Sequence, residues 1–133
     1  MPQVNAIVEA HRVSVDFVTV YIEEAHASDE WPIYQVDIPQ HRDLEERIRL
    51  AQSFKLDFDV HLNMDFLADS MENEFNREYA SWPFRFWVLE QNVSGSPVKI
   101  AFKAMPKESK YRLEDLTDFL SATSTNSRNV LQE

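Results

Sequence analysis

Cysteine is absent from this chain of 133 residues, and Gly95 is its only glycine. Without cysteine the chain has no disulfide, no thiolate metal ligand and no thiol nucleophile of its own. A single glycine excludes the glycine-rich loops that bind phosphate groups. No apolar run approaches about 20 residues and Met1 opens no signal peptide, so the chain as written is expected to be soluble.

Basic residues are also few. The chain has 13 Lys and Arg against 23 Asp and Glu, which gives a net charge of -10. Because nucleic acids require a basic surface, this balance argues against a nucleic-acid partner. The hydrophobic fraction of 44% is typical of a packed globular core. We predict one domain over residues 1–121 and a polar C-terminal tail over residues 122–133.

Hydrophobic periodicity predicts four helices and four strands. The predicted helices are Pro2–His11, Arg42–Phe54, Asp69–Ala80 and Leu113–Ser121. The predicted strands are Val15–Ile22, Asp57–Leu62, Phe84–Leu89 and Val98–Ala104. This order indicates an α/β protein with an early parallel βαβ crossover, followed by a terminal β-hairpin and helix. It is the layout of a thioredoxin-like fold that lacks its first strand.

The segment Val15–Ile22 gives the strongest local signal, because it is apolar on both alternating faces. Such strands are normally covered on both sides, so we expect an interior strand with Val18 and Val20 almost inaccessible. The hairpin strand Val98–Ala104 alternates cleanly. We expect Val98, Ile100, Phe102 and Ala104 to face inward.

Two histidines and a glutamate are candidate site residues. Glu24 and His26 follow the strongest strand, and the carboxyl ends of strands in open α/β sheets face the ligand crevice. His41 precedes a predicted helix and could act there as a neutral hydrogen-bonding group. The alternatives are an exposed loop histidine at His26 and an ordinary helix-start residue at His41.

The acidic loop Glu23–Asp29 is not interpreted as a metal site, since it has neither a metal motif nor paired histidines. Farther along the chain, Trp82 and Pro83 come directly before a predicted strand. The bond between them is either cis, as X-Pro bonds permit, or an ordinary trans bond at a strand start.

Three segments of the chain match the sequence motifs of one known protein family. The segment YIEEAHASDEW, from Tyr21 to Trp31, resembles the signature YIEEAH-x-SDGW, with Glu30 in place of the glycine. The segment IPQHRDLEER, from Ile38 to Arg47, is similar to I-P-Q-H-R-S-L-E-D-R. The segment from Asp69 to Leu89 is similar without gaps to D-T-M-x-N-x5-Y-x-A-x-P-E-R-L-Y-V-I, with Phe84 in place of its acidic residue. By these three segments the chain resembles the iodothyronine deiodinase family.

This resemblance implies a thioredoxin-like fold with a deiodinase-type loop insertion, and it implies roles for the candidate residues. Glu24 and His26 would contact the substrate, together with Trp82 and a cis Pro83 that faces the reactive residue. His26 and His41 would be the catalytic histidines, with His41 supplying or relaying the proton that replaces iodine. No metal and no cofactor are implied.

The implied reaction is reductive removal of iodine from an iodinated phenol such as a thyroid hormone. A selenolate or thiolate attacks the iodine, and a thiol reductant acts as cosubstrate and restores the nucleophile. The alternative is a non-catalytic thioredoxin-like remnant or binding module. A homodimer is a further expectation from the family.

The nucleophile motif of the family, S-C-T-U-P-P-F, immediately precedes a methionine and the first helix. We therefore expect that the selenocysteine or cysteine is encoded upstream of Met1, and that this chain alone is inactive. A UGA codon interpreted as a stop would produce such a reading. Family members are often anchored to membranes by an upstream segment, so localisation is left open.

Overall fold

The computed structural model describes residues 1–33, 37–91, 96–104 and 112–129. It is an α/β structure with two small sheets and four helices among these residues. The chain forms two compact units, Met1–Phe84 and Arg85–Glu133. No helix in the described ranges has the length and apolar character required to cross a bilayer.

The first unit contains a parallel βαβ arrangement, as predicted. Its elements in chain order are α1 (Pro2–His11), β1 (Phe17–Tyr21), α2 (Leu44–Asp57), β2 (Met64–Ala68) and α3 (Glu74–Tyr79). Strands β1 and β2 are parallel and in register from Phe17 opposite Met64 to Tyr21 opposite Ala68. The bounds of α1 agree with the prediction, and Pro2 occupies its first turn.

The core of this unit lies on one face of the sheet. Val8 of α1 is completely buried and packs with Val60 and Met64, and Phe17, Phe54 and Phe66 lie around them. On the opposite face Val18 and Leu67 are each 55% exposed. The prediction of a strand buried on both faces is therefore wrong for Val18, and Val20 is only partly buried.

The predicted strand Asp57–Leu62 is also wrong. Helix α2 continues to Asp57, and the backbone N–H of Phe58 donates to Phe54 O at 3.1 Å. Asp59 then has a φ of 47°, a left-handed conformation that interrupts an extended chain. The alternation of Phe58 and Leu62 therefore lies in a turn, and the strand is β2, Met64–Ala68.

Helix α2 begins after Asp43, whose carboxylate accepts a hydrogen bond from Glu46 N at 2.8 Å. The spacing of Leu44, Ile48 and Ala51 predicts that they share one apolar face of this helix, and this prediction is only partly correct. Leu44 and Ile48 are 44% and 41% exposed, whereas Ala51 is buried as predicted. Arg47 is buried beside it, which the hydrophobic pattern did not indicate.

Helix α3, Glu74–Tyr79, is shorter than the predicted Asp69–Ala80, because the first residues of that segment form a loop around the Asp69 carboxylate. The Trp82–Pro83 bond, for which the residues alone left the cis and trans forms open, is cis.

The second unit contains the predicted antiparallel pair, β3 (Phe86–Glu90) and β4 (Lys99–Ala104), and the final helix α4 (Leu113–Asn129). Its ring pair, Phe102 and Phe119, has centroids 5.0 Å apart. The pairing register shifts between Val88 and Leu89 of β3, which lie opposite Phe102 and Ile100 of β4. The inward-facing alternation predicted for β4 therefore stops between Phe102 and Ile100. Phe102 and Ala104 are covered, but Val98 and Ile100 are 56% and 57% exposed.

Helix α4 continues beyond the predicted end at Ser121 and into the segment predicted to be a tail. Residues 130–133 of that segment, and residues 92–95 of the predicted hairpin turn, lie outside the described residues.

Candidate functional site

The candidate site lies at the carboxyl ends of β1 and β2, where ligands bind in open α/β sheets. Three segments meet there: the end of β1 with the residues that follow it, the residues before α2, and the loop between β2 and α3. The backbone connects two of these segments directly, because Asp69 N donates to Tyr21 O at 2.8 Å.

Glu24 is held by contacts to its side chain and to its backbone. The hydroxyl of Tyr21 donates a hydrogen bond to Glu24 Oε1. Gln40 fixes the backbone of Glu24, because its Oε1 accepts from Glu24 N at 3.0 Å and its Nε2 donates to Glu24 O at 3.2 Å. Burial, with the hydrogen bond to this carboxylate, raises the pKa of Tyr21, so the hydroxyl remains a donor.

The side chain of His41 is completely buried, and its ring nitrogens have different surroundings. Arg47 Nε donates to His41 Nδ1 at 3.0 Å. His41 Nε2 lies 3.8 Å from Glu24 Oε1, too far for a hydrogen bond, and has no hydrogen-bond partner among the described residues. Burial and the positive charge of Arg47 lower the pKa of His41, against the opposing effect of Glu24, Glu46 and Glu23.

His26 occupies a separate position on the loop after β1. Its Nδ1 lies 3.4 Å from Trp31 O, and the two rings have centroids 5.2 Å apart. The side chain is partly exposed. In the described part of the chain, no hydrogen bond or ring contact connects His26 with Glu24 or His41.

Glu23 points to the loop after β2. Its two carboxylate oxygens accept hydrogen bonds from Asn73 Nδ2 at 2.8 Å and from Asn76 Nδ2 at 2.7 Å. The backbone N–H of Trp82 in turn donates to Asn76 Oδ1 at 2.8 Å. Asn76 thus connects the Trp82–Pro83 segment to the end of β1.

The buried carboxylate of Asp69 organises the same loop. Its Oδ1 accepts from Ser70 N at 2.8 Å and Phe75 N at 2.9 Å, and its Oδ2 accepts from Asn76 N at 3.0 Å. Asp69 therefore satisfies backbone donors at the start of α3 that the helix itself leaves unpaired.

The structure brings Glu24 and His41 close together and places the ring of His26 beside Trp31. Trp82 approaches the site through Asn76. The roles of these residues in binding and catalysis stay predictions. Sequence reasoning missed Gln40 and Arg47 as site residues, although both belong to the segment IPQHRDLEER and could have been found from it.

The neutral state of buried His41 should make stability depend on pH. Below about pH 6.5 the histidine of the unfolded chain gains a proton that the folded chain resists, so the free energy of unfolding should fall as the pH is lowered. Urea unfolding of the chain and of His41→Gln would measure this between about pH 7 and pH 5. We expect the substitution to reduce the slope, and parallel slopes would contradict the prediction.

Comparison with known proteins assigns the chain to a family. The family model described as iodothyronine deiodinase matches residues 1–124. The chain is 28% identical over 117 residues to a type I iodothyronine deiodinase of Xenopus laevis, covering 87% of this chain and 43% of that protein. It is 30% identical over 125 residues to a type II iodothyronine deiodinase of Fundulus heteroclitus, covering 90% of this chain and 45% of that protein.

A thyroxine 5-deiodinase of Sparus aurata is 28% identical over 116 residues, which cover 86% of this chain and 40% of that protein. The chain thus spans less than half the length of these curated relatives. The match of the family model over nearly the whole chain shows that this protein belongs to the iodothyronine deiodinase family.

Proposed function

We propose that this chain forms the substrate-binding and proton-handling part of a reductive deiodinase that acts on iodinated phenols. The observation that carries the proposal is the approach of His41 Nε2 to within 3.8 Å of Glu24 Oε1, at the carboxyl ends of β1 and β2 in a member of this family. The parallel βαβ unit and the antiparallel hairpin with its helix are compatible with a thioredoxin-like fold, which completes the proposal.

The proposed reaction requires a nucleophile that these 133 residues do not contain. A selenolate or thiolate encoded upstream attacks iodine, and a chalcogen–iodine bond forms as the carbon–iodine bond breaks. The bonding electrons remain on the ring carbon, which takes up a proton. Two thiols of the reductant then restore the nucleophile, with release of iodide and formation of a disulfide.

The residues of this chain would bind the phenol and deliver the proton. His26 is partly exposed and offers a ring nitrogen to the substrate. Glu24 either accepts a hydrogen bond from the substrate or orients the hydroxyl of Tyr21. Trp82, 41% exposed, supplies an aromatic surface beside Pro83. His41 directs Nε2 toward Glu24 and would supply the proton that replaces iodine.

Binding can be tested on the chain itself with thyroxine as the probe. We expect His26→Ala to weaken binding about tenfold, because one lost hydrogen bond to a charged or polar partner costs about 1.4 kcal/mol. His61→Ala is the matched control, since His61 precedes β2 at the opposite end of the sheet and pairs with Glu9. Calorimetric titration would measure both, and equal affinities for the two variants would contradict the proposed binding site.

Catalysis needs the chain joined to its upstream coding sequence, with dithiothreitol as the reductant and iodide release as the measurement. The extended protein should release iodide and the 133-residue chain should not. Sequencing the DNA directly upstream of Met1 is the first step of this experiment. An in-frame sequence without selenocysteine or cysteine, combined with intact thyroxine binding, would favour the non-catalytic binding module instead.

A further inference from the structure

Arg47 is a buried cation whose contacts are all to neutral acceptors. The residue is 2% exposed. Its Nε donates to His41 Nδ1, and its Nη1 donates to Ser70 O at 2.5 Å and to Asn73 Oδ1 at 3.0 Å, with Asp69 O at 3.3 Å. Among the described residues no carboxylate lies within ion-pairing distance of it.

A buried charge without a paired countercharge is costly, so its position requires an explanation. A structural anchor for the loop after β2 would need only the contacts of Nη1. The contact of Nε with His41 adds nothing to that anchor, but it determines the state of the imidazole ring.

A guanidinium group can donate hydrogen bonds but cannot accept them, and it does not lose its proton in proteins. The Nδ1 atom of His41 must therefore carry its lone pair toward Arg47. A proton on Nδ1 would set two N–H groups against each other, and in the doubly protonated ring it would also place two cations in contact. The proton of the neutral ring must lie on Nε2.

The Nε2 proton has no acceptor among the described residues, and the nearest carboxylate oxygen, Glu24 Oε1, already accepts from Tyr21. A buried donor without a partner is costly and is uncommon in folded proteins. Its position beside Glu24 leaves this donor available to a group that enters the site.

We propose that Arg47 is a positioning residue that holds His41 as a neutral Nε2–H donor and makes that form of the ring the proton donor of the reaction. The catalytic part of this inference rests on the proposed function. Nε2–H transfers its proton to the ring carbon that loses iodine, and the positive charge of Arg47 at Nδ1 stabilises the negative charge left on the imidazole. A proton taken up from solvent, either directly or by way of Glu24, then restores the Nε2–H group of His41.

The tautomer can be measured on the chain without any turnover. Proton–nitrogen correlation spectra of the imidazole rings distinguish a nitrogen that carries a proton from one that does not, and His41→Gln identifies the His41 signals among the four histidines. We expect an unprotonated Nδ1 and a protonated Nε2 at pH 7. A protonated Nδ1 at that pH, in either the neutral or the cationic ring, would overturn the proposal.

Variants at Arg47 then show whether Arg47 positions the ring of His41 or only supports the loop after β2. In Arg47→Met the contact is lost, so we expect His41 to populate both tautomers and to titrate at higher pH than in the parent chain. Arg47→Lys keeps the positive charge and should restore part of the parent behaviour. If both variants fold and retain the parent tautomer and titration, Arg47 does not position His41. If Arg47→Met does not fold, the spectra of the parent chain and of Arg47→Lys decide.

In the extended protein, iodide release should not decline as the pH rises from about 6 to 8, because the proton donor is the neutral ring of His41. A decline over this range that His41→Gln abolishes would overturn the catalytic part. The tautomer result stands apart from this measurement, so failure of the proposed reaction and failure of the inference are distinguishable.

Discussion

Asp69→Ala should lower the free energy of unfolding by about 3 kcal/mol. The substitution removes the acceptor of three backbone N–H groups, those of Ser70, Phe75 and Asn76, and the site is only 4% exposed. Water cannot easily replace the carboxylate there, so the donors at the start of α3 would remain unsatisfied. Urea unfolding followed by circular dichroism would measure the loss.

Glu72→Ala is the matched control for this prediction. Glu72 lies on the same loop, but its side chain is exposed. Exposed substitutions of this kind usually change stability by no more than about 0.5 kcal/mol. If the two variants unfold at the same urea concentration, the Asp69 carboxylate does not hold the loop.

Val8→Asp should destabilise the chain by 3 kcal/mol or more, on the order of an unpaired buried charge, or prevent folding. Val8 is completely buried against Val60 and Met64. Val18→Asp introduces the same side chain on the other face of the sheet, where Val18 is 55% exposed. It should cost no more than about 1 kcal/mol.

Thermal unfolding of both valine variants would determine which face of the sheet forms the core. Similar losses for Val8→Asp and Val18→Asp would mean that the two faces are equally covered. A larger loss of stability for Val18→Asp than for Val8→Asp would mean that the core lies on the face of the sheet that carries Val18.

The elements that were predicted well are those whose pattern is local. Helix α1 has a proline in its first turn and apolar residues at Val4, Ile7 and Val8, and its bounds agree with the prediction. The antiparallel pairing of β3 with β4 followed from alternation around a turn-rich link. In both cases neighbours in sequence determine the structure.

The predictions were wrong where contacts between residues distant in sequence determine the structure. An apolar strand such as β1 shows the same residues whether one face is covered or both, so the exposure of Val18 could not be deduced from alternation. Phe58 and Leu62 alternate with Val60, yet the left-handed backbone at Asp59 turns the chain between them. Hydrophobic patterns do not report that turn.

The candidate site was predicted in part for a similar reason. Glu24 and His41 could be predicted as site residues because both lie in segments that resemble the family, Glu24 just after a strand and His41 just before a helix. The burial of Arg47 was not predicted, because a buried arginine has no signature in a hydrophobic pattern. Its burial depends on acceptors from Asn73 and from the backbone after β2, which only the folded chain brings within reach.

Helix α3 is flanked by two residues with left-handed backbone, Asn73 before it with a φ of 54° and Ala80 after it with a φ of 47°. For Ala80 this conformation costs about 1–2 kcal/mol, whereas an asparagine such as Asn73 adopts it more readily. A helix of six residues is moreover too short to form by itself. The segment that links Glu23 to Trp82 therefore has no conformational preference of its own for the shape it adopts. Its geometry is a property of the whole first unit, and the two ends of the site are ordered together or not at all.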